Sequence, residues 1–186
     1  MKEDLALRDA TPDLFETAGY SLVQQFLEGV RFMHHNLVAH LDLKPDNIVV
    51  GANNRLRIID FGVSVRVPLL ESLIKGYQGT KGWVAPEVER NPDAGYQAIR
   101  ADLWSTGKVI GYLAKHQLAH LSEIKSLADQ LQNSNPQQRP LLSTISLDTL
   151  SQRPKRKLDV DAQGKKEVKR LCVPLRRSMR YEKSTS

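Results

Sequence analysis

Between Leu22 and Leu37, the apolar residues Leu22, Val23, Phe26, Leu27, Val30, Met33 and Leu37 recur at three- and four-residue intervals. This stripe constrains the fold most. One face of a helix from about residue 17 to 35 is apolar throughout, so it must pack on a larger body. Thr11-Pro12-Asp13 reads as the helix start, with a hydroxyl N-cap, proline at the first helical position and an acid in the first turn. A second apolar helix is expected from about Arg100 to Ala114, through Leu103, Trp104, Val109, Ile110 and Leu113. A third covers roughly Leu121 to Leu131, and Pro136 with Pro140 separates it from a short last helix near Leu141 to Leu150. Only one pair of β-rich runs is evident, Ile48-Val49-Val50 and Leu56-Arg57-Ile58-Ile59. Gly51-Ala52-Asn53-Asn54 between them predicts a hairpin. Val63 to Trp83 reads as irregular. The fold class is mainly α, with one small β-hairpin and no internal repeat.

A chain of 186 residues has room for one domain and a tail. Its 40% apolar and 26% charged content permits an ordinary core. No apolar run reaches the roughly 18 residues needed to span a bilayer, and Met1-Lys2-Glu3-Asp4 does not open a signal peptide. Cys172, the one cysteine, cannot form an internal disulfide or a cysteine-based zinc site, which fits an intracellular compartment. From Arg153 to Lys183 there are 12 basic and 4 acidic side chains, against 15 and 17 in residues 1 to 152. The basic excess therefore lies in a tail, and the body is near neutral. Three regions follow: a lead-in at 1–16, a body at 17–150 and a charged, aperiodic tail at 151–186 that reads as disordered.

Three motifs stand in order within the body. They are His40-Leu41-Asp42-Leu43-Lys44-Pro45-Asp46-Asn47, Asp60-Phe61-Gly62 and Ala85-Pro86-Glu87. A lone Asp-Phe-Gly is most often a turn after a strand. Here a hairpin between Asn47 and Asp60 returns the chain to one edge, so two hard oxygen donors can converge on one site.

The series resembles the large lobe of the eukaryotic protein kinases of serine/threonine type, over roughly residues 15 to 150. The resemblance implies ATP-dependent phosphoryl transfer to protein hydroxyls, chemistry that rests on positioning, metal ions and one carboxylate. It makes Asp42 the base, Lys44 the contact to the transferred phosphate, and Asn47 and Asp60 the magnesium ligands. Thr80, after Gly79, matches the threonine that bonds the catalytic aspartate and lysine. Val49 and Ile59 fall where apolar residues line the adenine floor. Asp102 would hold the catalytic-loop backbone from beneath, and Arg139 would pair with Glu87. The implied cofactors are ATP and Mg2+, and the implied substrates are proteins.

Three departures matter. Leu41 stands where these kinases place an arginine that binds an activation-loop phosphate, so phosphorylation at Ser72 or Tyr77 would lack that partner. Only Lys115 to His120 separates the second helix from the third, so a peripheral substrate-docking helix is expected to be reduced or lost. Residues 1–19 carry no glycine-rich loop, and their one lysine, Lys2, has no strand around it. Five strands and a helix of average length need at least about 40 residues. The smaller lobe is therefore expected outside this chain, which is either part of a longer kinase or a short product that has lost catalysis or borrows a lobe. An uncovered adenine floor favours association with a partner.

In the tail, Arg153-Pro154-Lys155-Arg156-Lys157 and Lys165-Lys166-Glu167-Val168-Lys169-Arg170 form two basic clusters separated by seven residues. Such clusters suit a nuclear import receptor through residues 153–170, or phosphate backbones, as well as a merely solvated end. No aromatic residue interleaves them before Tyr181, which disfavours single-strand stacking on nucleic acid. Ser178 after Arg176-Arg177 resembles a basic-directed phosphorylation site. His34, His35, His116 and His120 lack supporting metal ligands and read as surface or helix-end residues.

Overall fold

The computed structural model describes residues 5–115 and 122–147. The chain divides into two units, residues 1–154 and 155–186. The second unit, and with it the basic tail, lies outside the described residues. So do His116, His120 and the end of the last expected helix.

Strand β1 (Leu5–Ala6) leads through a 3-10 turn to helix α1 (Pro12–His35). Proline occupies the first helical position, and Thr11 is extended before it, although its hydroxyl makes no capping bond. The predicted stripe is the buried face: Leu22, Val23, Phe26, Leu27 and Val30 are at most 1% exposed. Strand β2 (Val38–Ala39) then precedes the loop at 40–47. Strands β3 (Ile48–Val50) and β4 (Leu56–Ile58) pair antiparallel as the expected hairpin, Val49 opposite Arg57. Asn53 and Asn54 turn the chain at φ near +60°, a conformation asparagine tolerates better than most residues. β1 joins the other side of β3, with Leu5 opposite Val50, so the hairpin is part of a three-stranded sheet.

The segment expected to be irregular carries β5 (Val65–Arg66) and β6 (Leu73–Ile74). β5 pairs with β2. Helix α2 (Pro86–Arg90) follows, and β7 (Tyr96–Gln97) pairs with β6. Two-residue strands show no alternation, and only a distant partner makes them strands. Helices α3 (Ala98–Lys115) and α4 (Ser122–Leu131) lie within a few residues of their predicted spans. They approach closely at Gly107, where a Cβ would stand 2.9 Å from the Ala128 carbonyl oxygen.

The short helix expected near 141–150 is corrected over the residues described. Only Leu142–Thr144 forms a 3-10 turn, and Ile145 is extended after it. The Thr144 hydroxyl donates to the Leu141 carbonyl at 2.8 Å, and the β-branched pair Thr144-Ile145 does not propagate a helix. One apolar core joins α1, α3, α4 and β3. A second, around Ala39, Leu41, Val67, Val84, Val88 and Ile99, is built partly from the segment between Val65 and Val88. No helix among the described residues is long and apolar enough to cross a membrane.

Candidate active site

The loop at 40–47 is built on Asp102 near the start of α3. This side chain is fully buried. Its carboxylate accepts the backbone N–H of His40 at 2.9 Å and of Leu41 at 2.8 Å. Two adjacent N–H groups directed at one carboxylate fix the loop and hold Leu41 at φ +65°, which leucine rarely adopts. His34 Nε2 lies 2.9 Å from the same carboxylate, with its side chain 9% exposed. From sequence it was a surface or helix-end residue. It is at a helix end, but turned inward, and its position one turn after Val30 was the available signal. His40 receives the Asp42 N–H at Nδ1 (3.3 Å), so its Nε2 carries the proton and donates to the Ile59 carbonyl at 3.0 Å.

The loop then presents its polar groups together. Lys44 Nζ donates to Asp42 Oδ2 at 2.8 Å and to the Thr80 hydroxyl at 2.6 Å. Thr80 donates to Asp42 Oδ1 at 2.7 Å. Asn47, buried behind them, donates from Nδ2 to the Asp42 carbonyl at 2.8 Å and to Oδ2 at 2.9 Å. Both carboxylate oxygens of Asp42 are thus held from three side chains. Burial pushes its pKa up, but bonds from Lys44 and Thr80, the lysine charge and Asn47 outweigh burial and hold it below the usual aspartate value.

That direction makes a prediction. A carbon-13 NMR titration should place the Asp42 midpoint below the ordinary value of about 3.9, and Lys44→Met should move it upward. Since the folded pKa is the lower one, the associated stability is complete above the unfolded value and is lost as pH falls through the folded one. A midpoint at or above the ordinary value would contradict the bonding described.

Asp60 stands nearby but apart from this network. The Ile59 N–H donates to the Asn47 carbonyl at 2.9 Å, which brings the next residue, Asp60, to the same edge. Asp60 is exposed at φ +63°, and Oδ1 accepts the Gly62 N–H at 3.4 Å. Val49 is half-buried, on the opposite face of β3 from buried Ile48 and Val50. Ile59 is 40% exposed and Phe61 51%, and the Phe61 ring lies 4.9 Å from that of His40. Below the site, fully buried Arg139 donates to Glu87 Oε1 at 2.6 Å and Oε2 at 2.8 Å, and its guanidinium lies 5.2 Å from the Trp104 ring.

A helical lobe that holds an aspartate, a lysine, an asparagine and a distant threonine in this arrangement is that of a protein-phosphorylating enzyme family. A profile of the protein kinase domain matches residues 5–175, and the chain belongs to that family. It is 36% identical over 124 residues to serine/threonine-protein kinase dkf-2 of Caenorhabditis briggsae, covering 65% of this chain and 10% of that protein. It is 43% identical over 89 residues to CBL-interacting protein kinase 16 of Oryza sativa subsp. japonica, covering 47% and 19%. It is 44% identical over 91 residues to probable serine/threonine-protein kinase KKQ8 of Candida glabrata, covering 47% and 12%. The chain thus spans less than a fifth of the length of each of these relatives.

Proposed function

We propose that this chain supplies the catalytic-loop half of a serine/threonine protein kinase. The closed set of bonds among Asp42, Lys44, Asn47 and Thr80 carries the reading. Asp42 stays ionised at neutral pH and would accept the proton of a substrate hydroxyl, while bound ATP would supply the phosphoryl group and leave as ADP. Lys44 meets the transferred phosphoryl group, and Thr80 keeps both side chains in register. Val49 and Ile59 offer an apolar floor to adenine.

The donor set supports magnesium. Asn47 spends its amide nitrogen on Asp42, which leaves its carbonyl oxygen as a hard donor near the edge where exposed Asp60 stands. Among the described residues no three His, Cys, Asp or Glu side chains form a metal cage. Magnesium is bound characteristically by one or two protein ligands, with waters and phosphates completing its shell. Bound ATP and Mg2+ would supply the phosphoryl group and the charge to neutralise it. Asn47 and Asp60 would hold the metal.

The described residues include no glycine-rich loop over this site, so the reading needs a second lobe from the same polypeptide or a partner. With that lobe present, Asp60→Asn should lower phosphoryl transfer to a serine peptide by at least about 10²–10³-fold in kcat. Undiminished activity would remove the mechanism.

The exposed apolar surface favours a second reading, a non-catalytic lobe that docks a partner, carried to the nucleus by the basic segment at 153–170. Phe32 is 71% exposed and, with Met33, Val38, Leu56, Ile58 and Phe61, lines a groove of about 390 Å³. Magnesium-dependent nucleotide binding would favour the kinase. Its absence, together with tight binding to an import receptor, would favour the module.

A further inference from the structure

We propose that Gln25 is a positioning residue for Asp60. Together with Gly29, one turn further along α1, it fixes the register of β4 and so the edge to which β4 delivers Asp60. The consequence for metal binding rests on the reading of Asp60 and Asn47 as magnesium ligands, whereas the fixing of β4 does not.

β4 needs a reference outside its own sheet. It is an edge strand of three residues, in a sheet of order β1-β3-β4. The chain enters it from a turn in which Asn53 and Asn54 both take φ near +60°. So short a strand specifies its pairing weakly. A slip of one residue turns each side chain to the other face and shifts the strand by about 3.3 Å. Asp60 stands two residues beyond the end of β4 at Ile58, with the 2.9 Å bond from the Ile59 N–H to the Asn47 carbonyl between them. Whatever places β4 therefore places Asp60 against Asn47.

Helix α1 supplies the reference at two points of one face. Gln25 Oε1 accepts the Leu56 N–H at 3.0 Å, and Nε2 donates to the Asn54 carbonyl at 3.1 Å. Leu56 faces Val50 of β3 on its other side, so the Gln25 amide stands where the backbone of a further strand would, with one acceptor and one donor. Nε2 also donates to Ser21 Oγ at 3.0 Å. Four residues on, Gly29 leaves room for Ile58: a Cβ there would lie 3.3 Å from Ile58 Cδ1. Residues four apart share a helix face. The amide and the gap thus read β4 at Leu56 and Ile58, the two residues of β4 that pack against the main core.

Amide hydrogen exchange on the full chain tests the register. Gln25→Met keeps the reach of the side chain and removes both bonds to the hairpin. It should speed exchange at Ile59 about ten- to thirtyfold, the worth of one or two ordinary hydrogen bonds, while Val109 and Ile110 in α3 hold. A merely local loss would stop at Leu56. Ser21→Ala, which leaves both hairpin bonds in place, should not change Ile59. Gly29→Val, with Gln25 intact, should speed it by pressing on Ile58. In the two-lobed protein, Gln25→Met should raise the apparent KM for Mg2+ roughly tenfold, with kcat at saturating Mg2+ little changed. Faster exchange at Leu56 with Ile59 unaltered would overturn the proposal, as would an unaltered Mg2+ KM in an active protein. A two-lobed wild type that transfers no phosphate would defeat the kinase reading instead, and exchange at Ile59 would still decide the role of Gln25. If Gln25→Met also exposes α3, Gln25→Glu, which keeps the acceptor for Leu56 and loses the donor to Asn54, gives the same comparison. Faster exchange at Ile59 with α3 intact supports the proposal, and no change refutes it.

Discussion

Replacing Arg139 with methionine is expected to destabilise the fold by about 3–5 kcal/mol, the penalty for removing one partner of a buried ion pair. The site explains a value in the upper part of that range. Arg139 is 1% exposed and makes two bonds to the Glu87 carboxylate. It also donates from Nε to the Asn133 carbonyl at 2.8 Å and from Nη1 to the Arg100 carbonyl at 2.7 Å. Methionine fills much of the volume but supplies no donor, so several acceptors lose their partner in a place water reaches poorly. A domain stable by only about 5–15 kcal/mol would lose a large share of that margin. Urea unfolding monitored by Trp83 and Trp104 fluorescence would show a lowered midpoint. Arg139→Lys should recover little, since a point charge cannot hold both carboxylate oxygens and two carbonyls. A loss below about 1 kcal/mol, the level of an exposed pair, would show that the pair is not integral to the lobe.

The second large effect is expected at Gly79. Its φ is +102°, and a Cβ there would lie 2.3 Å from the Leu41 carbonyl oxygen and 2.8 Å from Val84 Cγ1. Neither neighbour can retreat easily. The first is backbone of a loop anchored on Asp102, and the second is a buried side chain. Gly79→Ala should therefore push residues 79–80 away from the loop and break the bonds from Thr80 to Asp42 and Lys44. A displacement of about 1 Å at such a site can lower catalysis by about 10²-fold. The strain itself adds roughly 1–3 kcal/mol of destabilisation. Two measurements separate these effects: the phosphoryl-transfer rate of the two-lobed protein, and the Asp42 titration midpoint, which should rise as the Thr80 bond is lost. An alanine variant with unchanged rate and midpoint would mean that the segment is not seated on the loop as described.

Much of the lobe was legible because its physics is local. The stripe from Leu22 has one solution, an amphipathic helix, and α1 buries it as far as Met33, while Leu37 falls beyond the helix end at His35 and is half-buried. The Asp42 to Asn47 spacing and the hairpin up to Asp60 carried the loop and its polar groups. Most of the differences share one cause. β1, β5 and β6 are two residues each and exist only through partners 22 to 45 positions away, so no periodicity marks them. His34 gave little sign of its role because its partner, Asp102, lies 68 residues on. The last expected helix fails for a separate, local reason: Thr144 and Ile145 are β-branched, and only a 3-10 turn forms over Leu142–Thr144 before extended Ile145.

The amino-acid sequence alone determined the family, the three long helices and which side chains carry charge and hydrogen-bonding capacity. Each of these follows from local period, motif spacing or residue chemistry. The tertiary structure decided which of those groups meet. Thr80 reaches Asp42 across 38 residues, Asp102 reaches Leu41 across 61, and Arg139 reaches Glu87 across 52. The positions of α3 and of the segment beneath Thr80 set these distances, and both come from packing the whole apolar core at once.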